Sequence, residues 1–358
     1  MPAITIERYR RLAGRHGAKL LIATSIALPL IVAASLQLTD HWRIRSIQLT
    51  MTAGSAEGLR HSVAESLAKF AERRHVDVHL QASAGSGEAL QLVNSGELDM
   101  ALVQGGLAHD GLLNVQQAAV LYVEPLHLLV KVPRDDGAAL PDRLSLTAAS
   151  QLLQTLPEVS INVGTDGSGT AALATDLLNF FGLAAGDDYE ALHLPYAELL
   201  RPDAKTGDLP DLVFTVSSLP SPVAKHLIDH HGFRPVELAV SDAFRLDWHG
   251  DGLSSAANGR PQQEVLRKSV VEATIPAFTY QVSPPVPREP LRTLGARLQL
   301  VVHRQTPPAV VERVVDAVYG TNFANVSEPM LTIDLLRTAP EFELPAGATE
   351  HLKKKTPL

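Results

Sequence analysis

Ser168 and Thr170 stand in the turn Gly164-Thr165-Asp166-Gly167-Ser168-Gly169-Thr170. An alternating stretch (Val159, Ile161, Val163) precedes it, and an apolar run at helical spacing (Ala171, Leu173, Ala174, Leu177, Leu178, Phe181) follows. Strand, glycine turn and helix in that order bring bare N–H groups, the positive end of a helix dipole and two hydroxyls to one point. That chemistry suits an anion, most simply a carboxylate or a phosphate. Gly164, Gly167 and Gly169 give the turn backbone freedom, Thr170 is the predicted N-cap, and Gly182 is the predicted stop. Glycine and serine also favour an ordinary strand-to-helix turn. Further small or amide clusters follow strand-like stretches at Gly54-Ser55, Gly85-Ser86-Gly87, Gln104-Gly105-Gly106 and Ser217-Ser218.

Other chemistries lack their residues. There is no cysteine, which removes a thiol nucleophile, a disulfide scaffold and a cysteine metal site. Asp166 stands where a nucleophile elbow needs its first glycine, so Ser168 is not set up as a hydrolase serine. Neither phosphate-binding glycine motif, GxxxxGK[ST] or GxGxxG, occurs. His226 and His230 are spaced i, i+4 beside His231, but the sequence offers no evident third ligand and no HExxH glutamate, so the expectation is a polar helix face and no metal. The net charge of −8 gives no footprint for nucleic acid. The sequence therefore points to binding without catalysis or a cofactor.

The elements that position these loops follow the chain. Strand-like stretches are expected at 45–52, 76–81 and 98–103, with helices at 59–73 and 89–95 between them. That alternation predicts a parallel sheet with crossover helices, whose ligands gather at the carboxyl ends of the strands. Ala118–Val132 reads as two apolar strands around Glu124-Pro125, and Pro133–Pro141 as a linker leaving a first lobe. A helix is expected over 144–155, then the glycine-turn unit, a strand within 188–196, strands at 209–216 and 236–240, and a helix after Pro220. Residues 247–263 read as a polar surface loop. Ala273–Tyr280 returns toward the first lobe, Pro284–Pro290 is extended, 294–303 is a strand, and 306–320 is a helix. The organisation predicted is two hinged α/β lobes, 45–132 plus 275–358 and 133–274, which bind a small solute by closing on it.

The N-terminus supplies a location. Residues 1–19 carry five Lys or Arg against one acid, and Leu20–Leu38 holds nineteen residues without a charge. Such a helix spans about 28 Å, close to a bilayer core. The expectation is a cytoplasmic basic segment, a transmembrane anchor over 20–38 and an extracytoplasmic main domain. A cleavable signal peptide is the alternative, with small residues at Ala33, Ala34 and Ser35. Lys353–Lys355 reads either as a juxtamembrane basic run or as a soluble tail.

From about residue 45 to 350 the chain resembles the TAXI-type solute receptors of TRAP transporters. The resemblance is carried by SGELDMALVQ, YVEPLHLLVK, INVGTDGSGTAALATDLLNFFGL, VFTVSSLPSPVAKHL and IPAFTYQ. It implies a two-lobed, type II periplasmic-binding-protein fold, closing on an acidic amino acid, dicarboxylate or 2-oxo acid and handing it to membrane permease subunits. The family's first loop reads GST-GGTYYP; here Arg60-His61 replace the tyrosine pair and Ser62 the proline. The second loop has Ser86-Gly87-Glu88-Ala89 in place of Ser-Val-Glu-Asn. On this alignment Arg60 lies at the cleft, where it would grip a ligand carboxylate with both arms or sit solvated at the surface. His61 is a weaker candidate. Tyr196 and Tyr280 are expected either to cover the ligand or to pack as aromatics. The ligand-binding set is thus Gly54, Ser55, Arg60, Gly85, Ser86, Gln104, Gly167, Ser168, Gly169, Thr170, Tyr196, Ser217 and Tyr280. The alternatives are a tethered sensor or scaffold of the same fold, and the receptor of an ABC-type importer.

Overall fold

A computed structural model describes residues 46–107, 111–132, 144–145, 159–246, 269–320 and 340–355, with 323, 331, 333 and 336 singly. The basic segment 1–19, the apolar stretch 20–38, the linker Pro133–Pro141 and the loop 247–263 lie outside the described residues. Among those described, no helix is long and apolar enough to cross a membrane.

The first elements are β1 (Ile47–Thr52), α1 (Leu59–Glu72), β2 (Val76–Gln81), α2 (Ser86–Ser95), β3 (Met100–Gln104) and β4 (Val115–Lys131). Next come β5 (Leu144–Ser145), β6 (Ser160–Asn162), α3 (Gly169–Phe180), β7 (Glu190–Leu192), α4 (Tyr196–Leu199), β8 (Leu212–Val216), α5 (Pro222–His231), β9 (Phe233–Glu237) and α6 (Ser241–Leu246). The chain closes with β10 (Val271–Ile275), β11 (Gln281–Val282), β12 (Pro285–Val286), β13 (Leu291–His303), α7 (Pro308–Tyr319) and α8 (Ala346–Lys355).

One mixed sheet runs β2-β1-β3-β13-β4-β8-β6-β7, and the described residues from Ile47 onward form a single compact unit around it. Strands β2, β1 and β3 are parallel, as the βαβαβ alternation requires. β13 returns antiparallel between β3 and β4. The two expected strands around Glu124-Pro125 are one strand of 17 residues. Up to Pro125 it pairs with β13; from Leu126 it pairs with β8 on one side and, from Leu128, with β9 on the other. The proline's missing N–H falls where the partners change, which is why it does not break the strand. β13 also serves both halves: Leu291, Leu294 and Ala296 pack with the second-half cores, whereas Leu298, Leu300 and Val302 pack with the first.

Each half-sheet is covered on both faces. In the first half, Leu49, Met51, Leu102 and Leu300 meet α1 and α7 through Leu67, Val311 and Val314, while Val103 and Val301 meet Leu90 and Val93 of α2 on the other face. In the second half, strand alternation sends Leu126, Leu128 and Phe214 toward Leu173 and Leu177 of α3. The intervening Leu129 and Val213 face Ala224 and Leu227 of α5. Ile275, Tyr280 and Val286 pack into this last core.

Local differences have identifiable causes. α2 starts at Ser86, not Ala89, because Ala89 N–H already bonds Gly85 O and Glu88 folds back to accept from Ala84 N–H. Leu144–Ser145, expected to open a helix, pair with β9 as a strand. The strand expected at 236–240 is β9, which follows directly when Gly232 ends α5 in the left-handed region (φ 74°). Gly182 ends α3 as expected: with φ 75° it lets Leu183 N–H reach Leu178 O and its own N–H reach Asn179 O. Lys354 lies on α8 and pairs with Glu312 of α7.

Candidate functional site

The carboxyl ends of β1, β2, β6, β7 and β8 converge on a cavity of about 250 Å³ between the two half-sheets. From the first half it is lined by Ala53, Gly54, Ser55, Gly58, Leu59 and Arg60 after β1, and by Ser83–Ser86 after β2. From the second half come Gly164, Thr165, Ser168, Gly169, Thr170, Leu194, Pro195, Tyr196, Val216 and Ser217. Glu124, at the crossover of β4, completes the lining.

Among the described residues, the longer helices α1, α2 and α3 begin at this cavity, as does the single turn α4. Gly58 and Gly85 cap the first two without a side-chain hydrogen bond, leaving the helix N-termini to other acceptors. The expected cap of α3 is corrected. Ser168, with extended backbone, accepts from Ala171 N–H (3.1 Å), while Thr170 sits inside the first turn and its Oγ1 accepts from Val216 N–H (3.2 Å). Thr170 therefore ties α3 to the end of β8.

Arg60 is neither a free clamp nor a surface residue. Its Nε donates to Glu124 Oε2 (2.8 Å), its Nη2 lies 2.5 Å from the same oxygen, Nη1 donates to Ser86 Oγ (3.2 Å), and Nη2 reaches Gln104 Oε1 (3.4 Å). The Arg60 side chain is 17 % exposed and that of Glu124 is fully buried. Burial opposes the guanidinium charge, but the Glu124 carboxylate, by charge and hydrogen bond, outweighs it and raises the arginine pKa. Behind the pair, Ser218 donates to Glu124 Oε1 (3.2 Å) and bonds the Tyr122 hydroxyl (2.8 Å). Burial and the neighbouring carboxylate push the Tyr122 phenol upward. Tyr196 lines the cavity with its hydroxyl 2.7 Å from Thr215 Oγ1; burial, above all, raises its pKa.

The two sides of the cavity touch through their glycine loops. Gly87 N–H donates to Gly167 O (3.1 Å), Gln104 Nε2 to Gly169 O (2.9 Å), and Thr165 Oγ1 to Ala84 O (3.2 Å). A Cβ on Gly87 would collide with the Gly167 carbonyl oxygen, and one on Gly169 would stand 2.5 Å from Gln104 Cδ. Gly87 permits close approach of two backbones, and Gly169 leaves room for the Gln104 side chain.

Of the expected binding set, Gly54, Ser55, Arg60, Gly85, Ser86, Ser168, Gly169, Thr170, Tyr196 and Ser217 line the cavity. Gln104 stands one layer behind, and Gly167 (φ 69°) turns its carbonyl to Gly87. Tyr280 does not cover the cavity. It is buried beneath the second half-sheet, its hydroxyl on His127 Nε2, because the β10–β11 segment folds onto that core. Glu124 is the important lining residue missed. An acid in the middle of AAVLYVEPLHLLVKV must be buried and therefore paired, and that signal was legible. The rings of His226 and His230 pack 4.8 Å apart, and among the described residues no group of three or more His, Cys, Asp or Glu side chains has metal-holding geometry.

A model of the NMT1-like family matches residues 51–238. No curated protein matches the chain. Among solved structures, a protein of Bordetella bronchiseptica RB50 is similar at 13 % identity and a TM-score of 0.45, covering 87 % of this chain and 90 % of its own. The amino acid ABC transporter substrate-binding protein AbpA of Streptococcus pneumoniae, bound to L-arginine, is similar at 12 % identity and a TM-score of 0.44, covering 79 % of this chain and 92 % of its own. A periplasmic substrate-binding protein of an ABC transporter from Coxiella burnetii is similar at 14 % identity and a TM-score of 0.36, covering 80 % and 97 %.

Proposed function

The chain belongs to the NMT1-like family, and on that premise we propose that it is an extracytoplasmic solute receptor that captures a small organic anion between two hinged lobes and presents it to a membrane transporter. The observation that carries this reading is the cavity itself: strand carboxyl ends from both half-sheets, with the N-termini of α1, α2 and α3 at its wall. Each N-terminus carries a partial positive charge, and three of them favour a carboxylate. A volume of about 250 Å³ suits a small solute such as a dicarboxylate, a 2-oxo acid or an acidic amino acid.

The basic segment and apolar stretch 1–38 make the receptor a membrane-tethered one in this reading, with its main domain outside. The sequence resemblance to TAXI receptors supports a TRAP-type permease as the partner. The protein binds and hands over; it does not catalyse.

The test is the melting temperature of the full chain, followed by circular dichroism, against a panel of dicarboxylates, 2-oxo acids, amino acids and phosphate. A ligand that binds only the folded form adds about 2.7 kcal/mol of stability at a hundredfold excess over Kd. A rise confined to one carboxylate class is expected. A well-folded sample that melts at the same temperature with every compound would remove the receptor reading.

A further inference from the structure

Among the described residues, Arg60 and Glu124 are the only charged side chains lining the cavity. They are spent on each other. Glu124 is held by the backbone of β4, paired with Ala296 of β13 at the point where the strand passes between the halves. One of its oxygens receives two groups of the guanidinium, and the other receives the Ser218 hydroxyl. Arg60 is fixed in turn by Ser86 and Gln104.

We infer that Arg60 is a built-in counter-ion for Glu124 that closes the cavity to ligands carrying a cationic group and reserves it for carboxylates without an amine. The inference rests on the receptor reading above and narrows its ligand class. An ammonium entering this space loses its water and needs a carboxylate in exchange. The one carboxylate among the described lining residues is already satisfied by a guanidinium, and releasing it would leave Arg60 uncompensated. An entering carboxylate meets no such conflict, because the N-termini of α1 and α2 carry no side-chain cap and among the described lining residues no acid is left unpaired to repel it. Among the solutes the cavity can hold, 2-oxo acids and dicarboxylates therefore fit, and their amino-acid counterparts do not.

The test compares matched pairs by calorimetry on the full chain: 2-oxoglutarate with glutamate, pyruvate with alanine, succinate with aspartate. Within each pair that binds, the amine-free member should bind at least about tenfold tighter. Arg60→Met frees Glu124 and should shrink or invert that ratio. Arg60→Met combined with Glu124→Gln restores a neutral lining and should lose the gain for amines. The double variant also guards against loss of folding, since it leaves no buried unpaired charge, and circular dichroism reports the fold of both. Equal affinities within the pairs in the unaltered protein would overturn the inference while leaving the receptor reading intact, as would a ratio that Arg60→Met does not move. If no carboxylate binds the folded, unaltered protein, the receptor reading fails. The pairing would still predict that Arg60→Met gains affinity for the amino acids, and absence of that gain would end it too.

Discussion

His127 lies on β4, three residues beyond Glu124, and is fully buried. Its Nδ1 faces the Thr215 carbonyl (3.2 Å), which can only accept, so that nitrogen carries the proton and Nε2 accepts from the Tyr280 hydroxyl. Desolvation, only partly offset by backbone hydrogen bonds, lowers its pKa to about 4. The folded protein thus keeps this imidazole neutral, whereas the unfolded chain takes up a proton near pH 6.5. Between those values the unfolded state binds more protons, so stability is full above about pH 6.5 and falls as the pH drops toward 4. The span of pKa values corresponds to about 3 kcal/mol from this one group. Urea unfolding at several pH values should show that loss, and His127→Gln should flatten the slope whatever its own effect on stability. An unchanged slope would mean that His127 takes up its proton equally in the folded and unfolded states. The same pair explains a residue the sequence misplaces. Tyr280 looks like a cavity aromatic because its neighbours resemble a family motif, but its hydroxyl is consumed by a histidine 153 positions away. Pairings of that kind leave no local pattern.

Among the elements, the glycine loops carry the most consequence. Their existence was legible: small residues at the ends of strands, followed by apolar runs at helical spacing, locate α1, α2 and α3 to within a few residues. Their use was not. Glycine at 85, 87, 167 and 169 reads as backbone freedom for an anion. Only the assembled sheet shows that the α2 and α3 loops meet each other, with Gly87 N–H on Gly167 O. This yields a prediction in which local and long-range effects oppose. Gly87 lies in the first turn of α2, where alanine is the better helix former by up to about 1 kcal/mol. Gly87→Ala should therefore leave the unliganded protein as stable as before, or slightly more so. Its methyl would strike the Gly167 carbonyl once the halves approach, so ligand affinity should fall by at least about tenfold. Stability from thermal melts and affinity from calorimetry, measured on one sample, separate the two. A parallel loss of both would mean that the loops form one rigid structure and not a closing contact.

At the scale of the whole molecule, the alternation of strands and helices foretells two α/β halves, and the apolar run 118–132 foretells a strand on each side of Glu124-Pro125. That the two are one strand depends on partners brought in by β8, β9 and β13, far along the chain. The consequence is mechanical. β4 has entered the second half by Leu126, before the linker expected to act as a hinge, and β13 makes the return crossing. Two continuous strands allow bending and twisting at the crossing better than sliding, so the halves should rock about Glu124–Leu126 and the facing part of β13. In the structure the loops touch; without ligand, the open arrangement should be populated as well, and a carboxylate should shift the balance toward contact. The absence of cysteine makes this directly measurable. Glu65→Cys on α1 and Asp187→Cys ahead of β7 are both exposed positions on opposite halves, and a dye pair there reports their separation by energy transfer. Transfer should rise with a carboxylate that calorimetry shows to bind, and the rise should vanish when Gly87→Ala is added. Transfer that stays constant while ligand binds would mean the cavity fills without movement, and the rocking of the halves about β4 and β13 would have to be given up.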